Sequence, residues 1–356
     1  MSALAFGGTQ AQTTKALTVA QVLPLSGPLA NVGKEIAQVT EAVLAEHNRT
    51  PGVVRLTLKV MDDANNAEQS TQLAQDAVKE SGVFLSCFGT TSCLAQQKVT
   101  QAAQVPLIGP IAGADAFRQA SMRYTLAVRA SAQQELRRLL TFINTMGLTR
   151  VSVAVQDDGF GRAYAAEMDK LLAAYPQLQW ERAAFDPKSP DHPATVRALR
   201  AKHPQALLLL ANASHSTALM TAWKEQDTLP MVLNLAGQAN ALFASRMQGY
   251  TGTAAFVTVV PSPWESRTQL QRDYQKLAKA TQLPISYLGF ESFINATLLT
   301  HAVRTGKPTS AAELHKSLTE PAEIDLNGYT VSYRDNRFGS NFTDTSLLLK
   351  DGSFKH

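Results

Sequence analysis

Apolar positions along the chain alternate between two spacings. Residues 17–23, 54–61, 83–88 and 106–108 are short apolar or alternating runs with the length of strands. Between them, 30–48, 68–79 and 92–104 carry apolar residues every three to four positions, as at Ile36, Val39, Val43 and Leu44. This strand–helix alternation predicts a parallel sheet with helices on both faces. The order then restarts. Helical spacing at 132–146 (Leu136, Leu139, Leu140, Ile143) leads into a strand at 151–155, a helix at 161–174 and a strand at 178–185. A helix at 193–202, strand at 206–210, helix at 216–226, strand at 231–235, helix at 239–248 and strand at 255–260 complete a second unit. No residue-level repeat relates the two units.

The last third predicts helices at 267–280, 286–304 and 311–318 and a pair of strands at 329–333 and 346–350. These pieces cannot bury a core alone, so they must pack back on the earlier units. The chain then crosses between lobes near Ala130, near Pro261-Ser262-Pro263 and near 337–341. The expected fold is α/β, with two Rossmann-like lobes joined by three hinge crossings. Residues 16–131 plus 262–337 form lobe 1, and 132–261 plus 338–356 form lobe 2. Three crossings make a hinge that bends but resists swivelling.

Length and composition agree with two packed cores: 356 residues, 45% hydrophobic and only 17% charged. No apolar run approaches the ~18 residues of a spanning helix. The net charge of +4 comes from scattered basic residues without a cluster, which argues against a nucleic-acid partner. Residues 2–11 are small, apolar and uncharged and are followed by the polar stretch Gln12 to Lys15, which reads as the end of a secretory signal or as a disordered tail. The first reading places the mature protein in the periplasm. Cys87 and Cys93 could pair in an oxidising compartment. They are read instead as two small core residues, one in a strand and one in the next helix, where the geometry does not suit a bridge.

Nothing in the chain asks for catalysis, a metal or a cofactor, and the protein is expected not to be an enzyme. The seven histidines form no i,i+4 pair, no G-x-S-x-G is present, and no P-loop spacing occurs. Gly159-Phe160-Gly161 opens a helix after a strand, but Tyr164 stands where a dinucleotide fingerprint needs its third glycine. Asp62-Asp63 and Asp157-Asp158 read as turn formers or helix N-terminal charges.

In open α/β sheets, ligands sit beyond the carboxyl ends of strands. Four places qualify: Ser26-Gly27-Pro28, Gly89-Thr90-Thr91-Ser92, Pro110 to Ala114, and Asp158 to Gly161. Three hydroxyl residues behind Gly89 exceed what a helix cap requires, and that turn would suit an anion.

Leu23-Pro24-Leu25-Ser26-Gly27-Pro28-Leu29-Ala30-Asn31-Val32-Gly33 resembles the opening motif of the branched-chain amino acid (Leu/Ile/Val) type periplasmic binding proteins. Val60-Met61-Asp62-Asp63, Phe88-Gly89-Thr90-Thr91, the run from Val105 to Ala114, and Asp157 to Gly161 follow in that family's order. The similarity runs from about residue 16 to the C-terminus. It implies a type I periplasmic binding fold that holds a ligand in its cleft and delivers it to an ABC importer. It further implies a ligand carboxylate at Thr90, backbone contacts around Ile111 and Ala112, and closure by Phe160. Ser26, Thr91 and Phe290 join the candidate ligand-binding set. The family's hydroxyl at Gly113 and glutamate near Ala236, which grip an α-ammonium, are missing, and Asn212 stands where a tyrosine occurs. A buried ammonium without a partner costs several kcal/mol. The expected ligand is therefore a small carboxylate without an α-amino group, with an aromatic acid as one candidate. The partners are that ligand and a membrane ABC permease, and the protein is expected to be monomeric. Glu291, if it reached the pocket, would reverse this reading in favour of a branched-chain amino acid. Arg129 is either a carboxylate partner or a hinge residue. A ligand sensor of the amide-sensor type on the same fold is the alternative function.

Overall fold

The computed structural model describes residues 16–225, 229–250, 252–334 and 338–355. The expected signal remnant at 1–15 and Arg337 in the third crossing lie outside the described residues.

The first unit runs β1 (Ala16–Leu23), α1 (Ala30–Asn48), β2 (Arg55–Asp62), α2 (Ala67–Ala77), β3 (Val83–Leu85), α3 (Thr90–Ala103), β4 (Leu107–Ile108) and β5 (Thr125–Leu126). Its strands form a five-stranded parallel sheet in the order β2-β1-β3-β4-β5. The second unit runs α4 (Ala132–Thr145), β6 (Arg150–Gln156), α5 (Gly159–Leu172), β7 (Gln179–Phe185), α6 (His192–Arg200), β8 (Ala206–Leu210), α7 (Ala213–Lys224), β9 (Met231–Asn234), α8 (Ala241–Arg246) and β10 (Ala254–Thr258). Then come α9 (Gln269–Thr281), α10 (Tyr287–Gly306), α11 (Ala311–Thr319), β11 (Ile324–Asp325), β12 (Thr330–Val331), β13 (Asp344–Leu348) and β14 (Phe354–Lys355). The second sheet has seven strands in the order β14-β13-β10-β9-β8-β6-β7. β8 sits inside it, which is why all five of its residues are apolar and buried.

The C-terminal third is divided between the two sheets. Helix α10 packs along α1, with α9 and α11 beside it, while β13 joins the edge of β10 antiparallel. The two strands read near the C-terminus therefore do not pair with each other. β12 forms a small hairpin with β11, and β13 belongs to the second sheet. Helix starts are set by short polar caps. Asn66, Ser131, Asp158, Asn212, Thr268 and Ser286 each accept first-turn N–H groups of their own helix.

The crossings are tied together. Tyr329 Oη donates to Val259 O at 3.0 Å and lies 3.5 Å from Val128 O. Ser340 N donates to the same Val128 carbonyl at 2.8 Å. Gly339, at φ +81°, lies so close to the segment after β5 that a Cβ would fall 2.4 Å from Ala127 O.

One expectation is corrected. Cys87 and Cys93 form a disulfide with Cα atoms 5.4 Å apart. The strand ends at Leu85, earlier than its apolar run suggests. Ser86 (φ +56°) and Gly89 (φ +79°) then turn the chain back, and the helix starts two residues early at Thr90. That turn brings the two sulfurs together.

Candidate functional site

The carboxyl ends of β3 and β4 place two loops side by side. Ile111 N donates to Cys87 O at 2.9 Å and Gly89 N to Ile111 O at 3.3 Å, so the sheet continues as a loop pair. Helix α3 then begins at Thr90 behind Gly89, which provides no side-chain cap. The first-turn N–H groups of a helix have no intrahelical acceptor, and here nothing from Gly89 takes them. Thr90 is 2% exposed, and its Oγ1 has no protein hydrogen-bond partner. A buried hydroxyl beside free helix-start donors is arranged to meet an anion. Thr91 is exposed on the next position.

The second sheet presents α5. Asp158 caps it through Phe160 N (2.9 Å) and Gly161 N (3.0 Å). Gly159 faces Thr91, and a Cβ there would fall 3.0 Å from Thr91 Oγ1. The starts of α3 and α5 thus meet across the cleft between the sheets. Phe160 is half-buried, with its ring 5.0 Å from that of Tyr164.

Behind this meeting point lies a buried polar cluster. Glu135 on α4 receives Arg129 at 2.8 Å and the Tyr164 hydroxyl at 2.8 Å on Oε1, and Ala236 N at 2.9 Å on Oε2. Arg129 also faces Glu291 on α10 at 3.5 Å. Arg118 donates to the carbonyls of Gly113 (3.3 Å) and Arg129 (2.6 Å). Burial opposes the charge on Arg129, but Glu291 and Glu135 outweigh it and hold its pKa above the ordinary value. Burial pulls Arg118 down to about 10, with Asp115 opposing. Burial raises Glu291, opposed by Arg129. Tyr164 is raised well above 10 by burial and then by Glu135, so it remains a neutral donor.

The structure brings Thr90, Thr91, Ile111, Ala112 and Gly113 to one side of the cleft. Phe160 lies on the other side, and Ala236 touches the cluster behind it through Glu135. Gly113 meets Tyr164 directly, since a Cβ at 113 would fall 2.1 Å from the tyrosine oxygen. Ser26 is exposed at the first loop, with its N–H on Asp62 Oδ1 at 3.2 Å. Asn212 caps α7 through His215 N, and its own N–H is held by Gln156. Phe290 is not brought in. It is fully buried in the aromatic core with Tyr274, 5.1 Å between ring centres. Of the acidic pairs, Asp62 accepts Leu25 N and Ala64 N in its turn and Asp158 caps α5, as read, while Asp157 forms an ion pair with Arg162.

Sequence reasoning missed Glu135 and Tyr164 as site residues. The signal for Glu135 was its position on the apolar face of α4, between Ala132 and Leu139, where a charge needs a partner. Among the described residues, no group of three or more His, Cys, Asp or Glu side chains could hold a metal ion.

Residues 16–343 match the periplasmic binding protein family. The chain belongs to that family. It is a family of solute-binding proteins, and solved structures share its fold over nearly the whole chain. A substrate-binding periplasmic protein from Ralstonia solanacearum is 24% identical, with a TM-score of 0.85, covering 95% of this chain and 99% of that one. A fatty acid ABC transporter substrate-binding protein from Thermomonospora curvata has a TM-score of 0.83 at 14% identity, covering 96% and 91%. A branched-chain amino acid ABC transporter from Thermus thermophilus with bound valine has a TM-score of 0.80 at 14% identity, covering 96% and 95%.

Proposed function

We infer that the protein is an extracytoplasmic solute-binding protein whose lobes close on a small carboxylate without an α-ammonium and deliver it to an ABC permease. In this reading the moving bodies are 16–131 with 262–337 and 132–261 with 338–356, and the working unit is a monomer. The observation that carries it is Thr90, whose buried, unpartnered hydroxyl lies at the uncapped start of α3. The ligand carboxylate takes that hydroxyl and the first-turn N–H groups, and Phe160 covers it from the other lobe.

The state of the cleft's acidic groups supports the absence of an ammonium. Both Glu135 oxygens are taken by protein donors, while Glu291 meets Arg129 through one oxygen. The space beside Gly113 is filled by the Tyr164 hydroxyl. The same fold serves a fatty acid binder and a valine-bound protein, so it accommodates acids with and without an amino group.

The test is a thermal-shift screen on protein unfolded and refolded to remove carried-over ligand. Leucine, isoleucine and valine are set against benzoate-type and short aliphatic acids and amides. A ligand at ~1,000 times its Kd adds about 4 kcal/mol of stability. Shifts from the non-amino acids alone, abolished in Thr90→Ala, support the reading. A strong shift from leucine rejects it.

A further inference from the structure

Helix α3 poses a problem. A helix start is usually fixed by a side-chain cap, as Asp158 fixes α5. A cap at α3 would consume the N–H groups that the proposed carboxylate needs. Gly89 leaves them free, but it also leaves the turn without that anchor. The turn is costly to hold, because Ser86 is a non-glycine residue in the left-handed region.

The disulfide spans this turn. Cys87 and Cys93 are six positions apart and enclose Gly89, Thr90, Thr91 and Ser92. Both cysteines are buried, at 1% and 0% exposure, in the cluster that also holds Ala112. Ala163 of α5 packs against that cluster from the other lobe. The bond is thus sheltered and serves poorly as a reactive handle. It links the end of the β3 loop to the first turn of α3.

We propose that the Cys87–Cys93 disulfide is a positioning group for the ligand site. It stands in for the missing cap and holds the α3 start in its ligand-ready shape without using any of its N–H donors. Pre-ordering the turn lowers the entropy cost of binding. The proposal rests on the assignment of this turn to the ligand, but its main readout does not.

The test is amide hydrogen exchange in the Cys87→Ala/Cys93→Ala double variant. Gly89 N and Ile111 N are the reporters, since both are hydrogen-bonded within this loop pair. Exchange at these two amides is expected to rise by roughly tenfold while amides in α10 stay unchanged. The benzoate Kd is expected to weaken by a similar factor. Exchange unchanged at Gly89 and Ile111, or rising in step with α10, overturns the proposal, because the bond is then only a general staple. If the variant does not fold, the wild-type protein is reduced with dithiothreitol, thiol release is confirmed by alkylation, and the same amides are read. Failure of benzoate to bind wild type counts against the ligand assignment, while the exchange result still decides the role of the disulfide.

Discussion

The hydroxyl of Tyr164 donates to Glu135 Oε1 at 2.8 Å and occupies the space that a side chain on residue 113 would need. Tyr164 comes from α5 and Gly113 from the loop after β4. The approach of Tyr164 to Gly113 therefore joins the two units and depends on their being close, whereas its hydrogen bond to Glu135 lies within the second unit.

Gly113→Thr tests that dependence. A Cβ at 113 would fall 2.1 Å from the Tyr164 oxygen and 2.8 Å from Glu135 Oε1. Neither side chain has room to retreat, because both are almost fully buried. Overpacking of this kind costs about 1–3 kcal/mol. The variant is expected to fold with its lobes held apart, seen as a larger radius of gyration by small-angle scattering. An unchanged radius contradicts the closure contact.

Glu135→Gln is expected to destabilise the protein by roughly 3–5 kcal/mol, because Arg129 then loses one of its two buried carboxylates. Tyr164→Phe removes one hydrogen bond and should cost only about 1–3 kcal/mol. Urea denaturation measures both. Equal losses in the two variants would show that the charge on Glu135 is not what the cluster needs.

These groups mark the limit of what the sequence makes legible. The strand–helix order is readable because inner parallel strands such as 206–210 are continuous apolar runs and helix starts carry Asn, Asp, Ser or Thr. β5, β11 and β14 are two residues long, too short to show a periodicity, and each exists only through its pairing partner. The disulfide depends on the left-handed turn at Ser86, which no side-chain preference announces. Glu135 looks like one polar residue among Gln133, Gln134 and Arg137, and its partners come from three other segments. The turn at Gly89 stands out in the sequence because its signal is local: a glycine followed by three hydroxyl residues. Phe290 was misplaced because an aromatic on a helix looks the same whether it faces a cleft or a core.

His192 Nε2 and His215 Nδ1 lie 3.1 Å apart at the starts of α6 and α7. Burial lowers both pKa values, and the charge of His192 lowers His215 further, while Asp191 and Asp158 oppose these shifts. The folded state therefore binds fewer protons than the unfolded chain. Stability is full above the ordinary histidine value of 6.5 and falls as pH drops through it toward the folded values. The melting temperature is expected to fall between pH 7 and 5, and His192→Gln should flatten that slope. Equal slopes in the two proteins would rule the pair out as the cause.

Tyr329→Phe removes the hydroxyl that holds the first two crossings together through Val259 O and Val128 O. The loss should be about 1 kcal/mol in stability. Limited proteolysis near 259–263 should become faster, with cleavage elsewhere unchanged. Uniformly faster cleavage would place the effect in the core instead of the hinge.

Calorimetry with matched ligand pairs tests the central claim most directly. 4-Methylpentanoate and leucine differ only in the α-ammonium, as do 3-phenylpropanoate and phenylalanine. On refolded protein, the account predicts binding by at least one of the deaminated acids and at least roughly tenfold weaker binding by its amino acid partner, a gap of about 1.4 kcal/mol. Tighter binding by either amino acid would mean that the cleft does hold an ammonium, and would contradict the proposed ligand class.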